Sequence, residues 1–278
     1  MLNRRVLLIL AAVFFVVDCL LVGIKLTQQP TKTIKPIHKQ KPHYKYSIYL
    51  TSDDGPQRDS IALNQLVLDY EFPLTIFAIG KLYNNSSEIQ EIYNYYKDNP
   101  YIYIGNHSYS HANGHYIRFY KNPQNVVKDF QKNEELLGIS SKIARLPGRN
   151  VWVLNGVVEG ERDAKASAKL LAKELKYNTF GWDYELRYTR NGTVKGDAIS
   201  HYKRIKELLK TQKTFSKNQI VILMHDQMFK NQKSQEVLGE LVLLLQNDDE
   251  CKLKLIKDYK IPYKKIKVDE LFYAKAKK

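Results

Sequence analysis

The sequence predicts an α/β fold, a distorted and incomplete (β/α) barrel of about seven parallel strands, with one N-terminal transmembrane helix before it. Strand patterns alternate with helix patterns along the 278-residue chain, as they do where crossover helices join parallel strands. The uncommon polar residues follow directly after strand segments, and the carboxyl ends of barrel strands converge on one mouth. An open doubly wound sheet is the alternative, but the first strand is not followed by a glycine-rich phosphate loop.

An apolar segment opens the chain. Val6 to Ile24 is long enough to span a bilayer, and Asp18 is its only charged residue. No small-residue cleavage site comes after it, which favours an uncleaved signal anchor over a removed signal peptide. Arg4 and Arg5 before the segment favour export of the residues beyond it. Lys25, directly after the segment, favours the opposite orientation. We therefore predict a single-pass protein of the cytoplasmic membrane, with its main domain on the periplasmic or cell-surface side.

This organisation gives an anchor over residues 1–26, a proline-containing linker over 27–43, and a globular domain over 44–278 with a basic tail. The formal charge of +15 is concentrated at the ends, because residues 1–44 carry +6 and residues 251–278 carry +7. A nucleic-acid enzyme would place positive charge around its site, so no nucleic-acid partner is expected. The basic ends suit an anionic lipid surface or envelope polymer, with a solvated tail as the alternative.

Six strand segments and six helix segments alternate within the domain. The strand segments are short and rich in apolar, β-branched and aromatic residues: Tyr46–Thr51, Leu74–Ile79, Tyr101–Gly105, Ile143–Leu146, Thr179–Trp182 and Ile220–Met224. The helix segments have apolar residues at helical spacing: Ser60–Asp69, Ser87–Lys97, Pro123–Leu137, Asp163–Leu175, Ile199–Thr211 and Ser234–Gln246.

The first strand ends in two adjacent acids, Asp53 and Asp54. Neighbouring carboxylates repel each other, and a divalent cation commonly offsets this repulsion; a solvated turn is the alternative. His107 and His111 are four residues apart and can face one ion, although such a pair can also serve only as a cap. With Asp54 they form a two-histidine, one-carboxylate set, which is typical of a catalytic metal site. Both cysteines are unsuited to a zinc site.

Other polar residues at strand ends are candidates for the same site. Arg145, if buried, needs a carboxylate partner, and Asp53 would serve. His225 ends a buried strand, where a core histidine is the alternative. Trp182 is expected in the core, with a pocket wall as the alternative. His115 is expected at the surface or behind the metal ligands.

Five segments, taken in order, resemble the five motifs of the polysaccharide deacetylases, the NodB-homology or carbohydrate esterase 4 family. They are Thr51-Ser-Asp-Asp-Gly-Pro56, His107-Ser-Tyr-Ser-His111, Arg145-Leu-Pro-Gly148, Trp182-Asp183 and Leu223-Met-His225. The resemblance spans about residues 46 to 226 and implies a distorted, incomplete (β/α) barrel.

The resemblance also implies roles for individual residues. Asp53 would be the general base, Arg145 would orient it, and His225 would be the general acid. Asp54, His107 and His111 would hold the metal ion, Zn²⁺ first, with Co²⁺, Mn²⁺ and Ni²⁺ as alternatives. The Gly148 N–H would donate to the oxyanion, while Leu223 and Trp182 would line the acetyl pocket. Either Asp183 or Glu185 would support the catalytic histidine.

Three positions depart from the family pattern. Ser52 stands in place of the common Phe, which would alter packing behind the site. Ala112 replaces a frequent Pro. Arg149 replaces the Gly that ends the third motif, and its guanidinium could bind a carboxylate or phosphate on a glycan.

The function implied is hydrolysis of N-acetyl groups on an N-acetylhexosamine-containing cell-envelope polysaccharide, with release of acetate by a monomeric enzyme. Two alternatives stay open. One is a metal amidohydrolase that acts on a small non-sugar amide, and the other is a non-catalytic protein that binds envelope glycans.

Overall fold

Parallel strands joined by helices form the framework of the chain. The computed structural model describes residues 44–261. Its ten-stranded sheet consists of β1 (Tyr46–Asp53), β2 (Leu74–Ala78), β3 (Ile102–Asn106), β4 (Ile143–Ala144), β5 (Val151–Leu154), β6 (Val157–Gly160), β7 (Asn178–Thr179), β8 (Tyr184–Glu185), β9 (Gln219–His225) and β10 (Cys251–Leu253). The α-helices are α1 (Ser60–Tyr70), α2 (Ser87–Asp98), α3 (Tyr116–Tyr120), α4 (Pro123–Leu137), α5 (Lys165–Glu174), α6 (Ala198–Lys210) and α7 (Gln232–Gln246).

The sheet is a curled half-barrel rather than a closed ring. Its strand order is β6-β5-β7-β4-β3-β2-β1-β9-β8, and β10 pairs with the amino-terminal half of β1. All neighbouring pairs run parallel except the two that involve β5. Within the described chain the end strands β6 and β8 do not pair, so the predicted incomplete barrel is confirmed at this level.

Side-chain alternation along β1 separates the helix-facing surface from the barrel interior. Tyr46, Ile48 and Leu50 pack in the apolar cluster shared with the outer helices, whereas Tyr49 packs in the interior cluster. Because successive side chains point to opposite faces of a strand, Asp53 falls on the same face as Tyr49. The side chain of Asp53 therefore points into the barrel interior.

Strand β9 follows the same alternation in register with β1. Ile222 and Met224 pack outward with the helices, and Val221 packs inward. The pairing sets Asp53 opposite His225 at the carboxyl ends of the two strands. Two predicted site residues are thus brought together by strand pairing alone.

Asn150 bridges the two halves of the open sheet. Its side-chain amide donates to the Trp182 carbonyl at 2.8 Å, and its Oδ1 accepts from the Trp182 N–H at 3.1 Å. A Cβ at Gly181 would lie 2.0 Å from Asn150 Oδ1, so only glycine allows this approach. These contacts link the chain before β8 to the start of β5, where the barrel lacks strands.

Five of the six predicted strands and all six predicted helices are present, with bounds that differ by a few residues, whereas the predicted strand Thr179–Trp182 shares only Thr179 with β7. The structure adds the antiparallel hairpin β5–β6, the short strands β8 and β10, and the short helix α3. In residues 44–261 no helix has the length and apolar character needed to cross a membrane. The predicted anchor over residues 1–26 and the predicted linker over 27–43 lie outside the described residues, as does the tail beyond residue 261.

Candidate metal and catalytic site

Asp54, His107 and His111 meet at the mouth of the half-barrel. One ligand atom from each lies within 4.8 Å of the others. The Nε2 atoms of His107 and His111 are 3.5 and 3.1 Å from Asp54 Oδ1. Asp54 occupies the turn after β1, His107 follows β3, and His111 opens the short turn before α3. The structure therefore brings together the three predicted metal ligands.

The His107 ring is fixed from the side away from Asp54. Its Nδ1 lies 2.9 Å from the Arg145 carbonyl, which can only accept, so Nδ1 carries the proton and Nε2 offers its lone pair to the site. The preceding residue, Asn106, is buried, and its amide donates to the Phe130 carbonyl and to the Tyr177 hydroxyl. This network holds the end of β3 and hence the direction of the imidazole.

Electrostatics within the cluster act in opposite directions on its members. Burial would raise the pKa of Asp54, but the neighbouring His107 and the charges of the other nearby histidines outweigh it and hold the pKa well below its usual range. Burial would lower the pKa of His107, but Asp53 and Asp54 outweigh it and raise the pKa. Burial and the charge of His107 lower the pKa of His111. The carboxylate is thus ionised at neutral pH.

The donor set fits a divalent cation. Asp54 Oδ1 is buried, and no hydrogen-bond partner for it occurs in the described chain. Two neutral imidazole nitrogens and one carboxylate oxygen are the ligand types of Zn²⁺ and similar ions. A three-residue set leaves coordination positions open, as catalytic sites do.

Arg145 holds Asp53 in the barrel interior. The Arg145 side chain is fully buried, and its Nη1 donates to Asp53 Oδ1 at 2.9 Å, which confirms the predicted contact. The guanidinium also donates to Thr51 Oγ1 and to the carbonyls of Phe180 and Gly181. The other carboxylate oxygen, Asp53 Oδ2, lies 3.6 Å from His107 Nε2. Arg145 thus holds Oδ1 of Asp53, and Oδ2 faces the metal-ligand cluster.

His225 lies at the rim of the site, opposite Asp53 in the strand register. Its Nδ1 is buried without a hydrogen-bond partner in the described residues. The ring of Tyr188 packs on it with centroids 5.5 Å apart. Leu223 lies two residues earlier, buried on the same face of β9. Tyr188, which the sequence analysis did not select, follows β8 in a loop whose position depends on tertiary packing.

The structure does not bring the expected supporting acid to His225. Both oxygens of Asp183 accept backbone N–H groups, from Phe215 at 2.6 Å and Val221 at 2.8 Å. Val221 precedes His225 by four residues of extended strand, about 13 Å at the usual rise per residue. Burial raises the pKa of Asp183 to about 6. Asp183 therefore ties the α6–β9 loop to the sheet.

The other candidate acid, Glu185, points to Arg187, with 3.7 Å between its Oε2 and the Arg187 Nε. No hydrogen bond joins Glu185 to His225 in the described residues. Trp182 is partly buried in the interior apolar cluster, with its ring centre 5.9 Å from Arg145 Cζ. It forms a wall behind the Asp53–Arg145 pair.

Gly148 adopts a left-handed backbone conformation with φ +60°, which favours glycine. The ring of Tyr116 packs against it so closely that a Cβ would lie 2.9 Å from the ring carbons. The same ring meets His111 edge-on, with 5.7 Å between centroids. Gly148 therefore lies beside the metal-ligand cluster, with Tyr116 between them.

Arg149, which the sequence analysis considered as a contact for a carboxylate or phosphate on a glycan, pairs with two acids of its own chain. Its guanidinium binds both carboxylate oxygens of Asp163, with Nε at 3.0 and 2.9 Å, and lies 3.3 Å from Glu161 Oε2. Both acids lie just after the β5–β6 hairpin, which the sequence did not predict. The two carboxylates therefore neutralise the positive charge of Arg149.

A buried carboxylate behind the site was missed from the sequence. Asp226 accepts hydrogen bonds from Ser52 Oγ and Ser60 Oγ, each at 2.5 Å, and from the Tyr96 hydroxyl. Burial raises the pKa of Asp226 to about 6 against the effect of these donors. The hydroxyl of Ser52, expected only to alter packing, thus links β1 to the residue after His225. Three hydroxyl residues on separate elements gave no signal in the sequence.

Comparison with known proteins shows what the chain and its fold are similar to. Residues 40–150 match the sequence model of a family described as polysaccharide deacetylase. This stretch contains all three predicted metal ligands together with Asp53 and Arg145. No curated protein sequence matches the chain.

Solved structures with this fold are similar over most of the chain. A Bacillus cereus polysaccharide deacetylase is 20% identical, covers 78% of this chain and 96% of its own, and has a TM-score of 0.53. A Streptomyces lividans family 4 carbohydrate esterase in complex with acetate is 16% identical, with 78% and 97% covered and a TM-score of 0.55. The catalytic domain of a Eubacterium rectale peptidoglycan N-acetylglucosamine deacetylase is 16% identical, with 80% and 94% covered and a TM-score of 0.53.

The fold and the site define an α/β half-barrel with a candidate metal centre at the carboxyl ends of its strands. Over residues 40–150 the chain resembles the polysaccharide deacetylases, and the solved structures share its fold.

The metal-ligand cluster predicts how the chain takes up a divalent ion. His107→Ala should lower Zn²⁺ occupancy, because it removes a nitrogen fixed towards Asp54 Oδ1. Binding should weaken as the pH falls, since the raised pKa of His107 lets protons compete with the ion. Metal content and affinity can be measured by elemental analysis and calorimetry. His115→Ala, which changes an exposed histidine nearby, is the control. Equal metal content in both variants would contradict the assignment.

The Asp226 cluster predicts a stability difference between two adjacent tyrosines. Tyr96→Phe removes a donor to a fully buried carboxylate and should lower the free energy of unfolding by about 1–3 kcal/mol. Tyr95→Phe, which removes an exposed hydroxyl that donates to Glu91, should change it by less than about 0.5 kcal/mol. Urea unfolding of both variants measures the difference. A similar loss of unfolding free energy in the two variants would show that the buried Tyr96–Asp226 hydrogen bond stabilises the fold no more than the exposed one.

Proposed function

We propose that the chain is a metal-dependent deacetylase that hydrolyses N-acetyl groups of an N-acetylhexosamine-containing cell-envelope polysaccharide and releases acetate. The observation that carries this proposal is the position of Asp53. This buried carboxylate is held by Arg145 through one oxygen, while its other oxygen lies 3.6 Å from a metal-ligand histidine. A carboxylate so placed can take a proton from a water molecule bound beside the three ligands.

Asp54, His107 and His111 would hold the divalent ion, with Zn²⁺ first and Co²⁺, Mn²⁺ or Ni²⁺ as alternatives. A divalent ion in such a site supplies Lewis-acid polarisation of a carbonyl group and lowers the pKa of a water molecule. Arg145 orients Asp53, because it offers a fixed positive charge and a directed N–H bond on the buried side. Asp53 accepts the proton of the attacking water.

The Gly148 N–H stabilises the negative charge that develops on the acetamido oxygen. No hydrogen-bond acceptor for this N–H occurs in the described chain, and the positive φ of Gly148 sets its direction. Preorganised N–H donors of this kind act where charge develops in the transition state. Leu223 and Trp182 provide apolar surface for the acetyl methyl group.

His225 protonates the departing amine. It lies across the β1–β9 pair from Asp53, so the base and the acid act from adjacent strand ends. Its Nδ1 has no acceptor among the described residues, which leaves Tyr188 as its packing partner. Asp183 is not part of this proton transfer, since its oxygens are held by backbone groups.

The substrate proposal draws on similar structures and on the predicted anchor. One similar protein is described as a peptidoglycan N-acetylglucosamine deacetylase, and another was solved in complex with acetate. We propose a single-pass protein of the cytoplasmic membrane that acts, as a monomer, on an acetylated glycan outside the cell membrane. Acetate release from a panel of purified envelope glycans tests the reaction. Glycan binding without acetate release, in the presence of metal, would favour the non-catalytic alternative.

Two adjacent acids should behave differently when changed. Asp53→Asn should keep its metal but lose about two to four orders of magnitude in kcat, because the amide cannot accept the proton. Asp54→Ala should lose both metal and turnover, because a ligand is removed. Metal content measured beside acetate release distinguishes the two. If both variants lost metal alike, the assignment of base and ligand would be wrong.

The location of the domain can be tested with full-length and truncated chains. Deleting residues 1–28 should give a soluble, folded and active enzyme, because the described half-barrel begins after that segment. Protease added to intact spheroplasts should digest the domain of the full-length protein. Protection until lysis would place the domain in the cytoplasm and point to a precursor glycan as the substrate.

A further inference from the structure

A groove runs along α3, beside the metal-ligand cluster. It is lined by Gly114–Arg118, Lys121 and Arg149 and has a volume of about 540 Å³. This volume falls within the usual range of ligand sites, about 300–1,000 Å³. Of the five motifs, only the last position of the third, Arg149, lines the groove. The deacetylation chemistry described above leaves the groove unused.

Tyr116 joins this groove to the catalytic site. One edge of its ring meets His111, and its face packs on Gly148. The Tyr116 side chain is partly exposed, so a ligand can contact it. A glycan whose acetamido group reached the metal ligands would therefore run past Tyr116 into the groove.

The groove carries positive charge that residues 44–261 do not fully neutralise. Arg149, on one wall, is paired with Asp163 and Glu161. Arg118 and Lys121, on and just after α3, are exposed, and neither has an ion-pair partner among residues 44–261. These two cations therefore remain available to a ligand.

We propose that the α3 groove is a subsite for an anionic substituent, a carboxylate or a phosphate, on the glycan next to the sugar that is deacetylated. This inference rests on the proposed function. The guanidinium of Arg118 can bind either group through two N–H donors, and Lys121 adds a point charge. Arg149 contributes its apolar surface and its position over Tyr116, where its Cζ lies 5.7 Å from the ring centre. The site thus prefers acidic glycans over neutral ones.

The expected preference is moderate, because both cations are exposed. Two such contacts together correspond to about a three- to thirtyfold difference in kcat/KM. The difference should lie in KM, since the substituent binds away from the reacting amide. It should shrink as the salt concentration rises, because the Debye length falls to about 3 Å at 1 M.

The test uses the full-length chain in detergent with three tetrasaccharides. The first is a neutral N-acetylglucosamine tetramer. The second alternates N-acetylglucosamine with N-acetylmuramic acid and carries free lactyl carboxylates. The third is the neutral tetramer with a phosphate at one C6. Acetate release gives kcat and KM, and calorimetry on the metal-loaded Asp53→Asn variant gives binding without turnover.

Arg118→Gln/Lys121→Gln should raise KM for the acidic tetramers and leave the neutral tetramer unchanged. Lys169→Gln/Lys173→Gln removes the same charge from the exposed surface of α5 and is the matched control. A preference for only one acidic tetramer would identify the substituent as carboxylate or as phosphate. Equal use of all three tetramers, or equal losses in the two double variants, would overturn the subsite. Loss of acetate release from every tetramer, with the binding preference intact, would contradict the proposed function and not the subsite.

Discussion

The buried guanidinium of Arg145 is the constraint on which the site depends. A charge removed from water is costly unless every donor is matched and a counter-charge lies beside it. Arg145 meets most of this requirement, since it donates to Thr51 and Asp53 of β1 and to two carbonyls of the chain after β7, and Asp53 supplies the counter-charge. The same side chain therefore orders Asp53 and draws the two sides of the barrel interior together. Substituting it would leave a buried carboxylate without its charge partner.

Strand pairing distributes function over the two faces of β1 and β9. On the inner face, Asp53 lies opposite His225. On the outer face, Ser52 donates to Asp226, and helices α1 and α2 supply two further hydroxyl donors. Asp53 and His225, which we assign to proton transfer, are therefore each adjacent in sequence to a residue that fixes the strand end: Ser52 precedes Asp53, and Asp226 follows His225. A one-residue slip would exchange the two sets, so the outer cluster also protects the register of the inner one.

The residues after each strand could be found from the sequence because parallel strands end at one mouth. This rule located Asp54, His107, His111, Arg145 and His225. It failed for Asp183, because a short strand does not reveal how deep in the barrel its polar neighbour lies. It did not reveal the acidic partners of Arg149, because they follow a hairpin that the sequence analysis did not predict. Asp226 and Tyr188 were missed because their partners are distant in the sequence.

The two adjacent acids differ in the kind of positive charge that balances them, and this difference supports their separate roles. Asp53 is paired with Arg145, whose charge is permanent and does not depend on whether an ion is bound. Asp54 faces His107 and His111, whose nitrogens must be neutral to act as ligands. Binding of a divalent ion would therefore replace the protons around Asp54 but leave the partner of Asp53 unchanged. A carboxylate with a constant partner can keep a free oxygen for a proton, whereas its neighbour is suited to coordination.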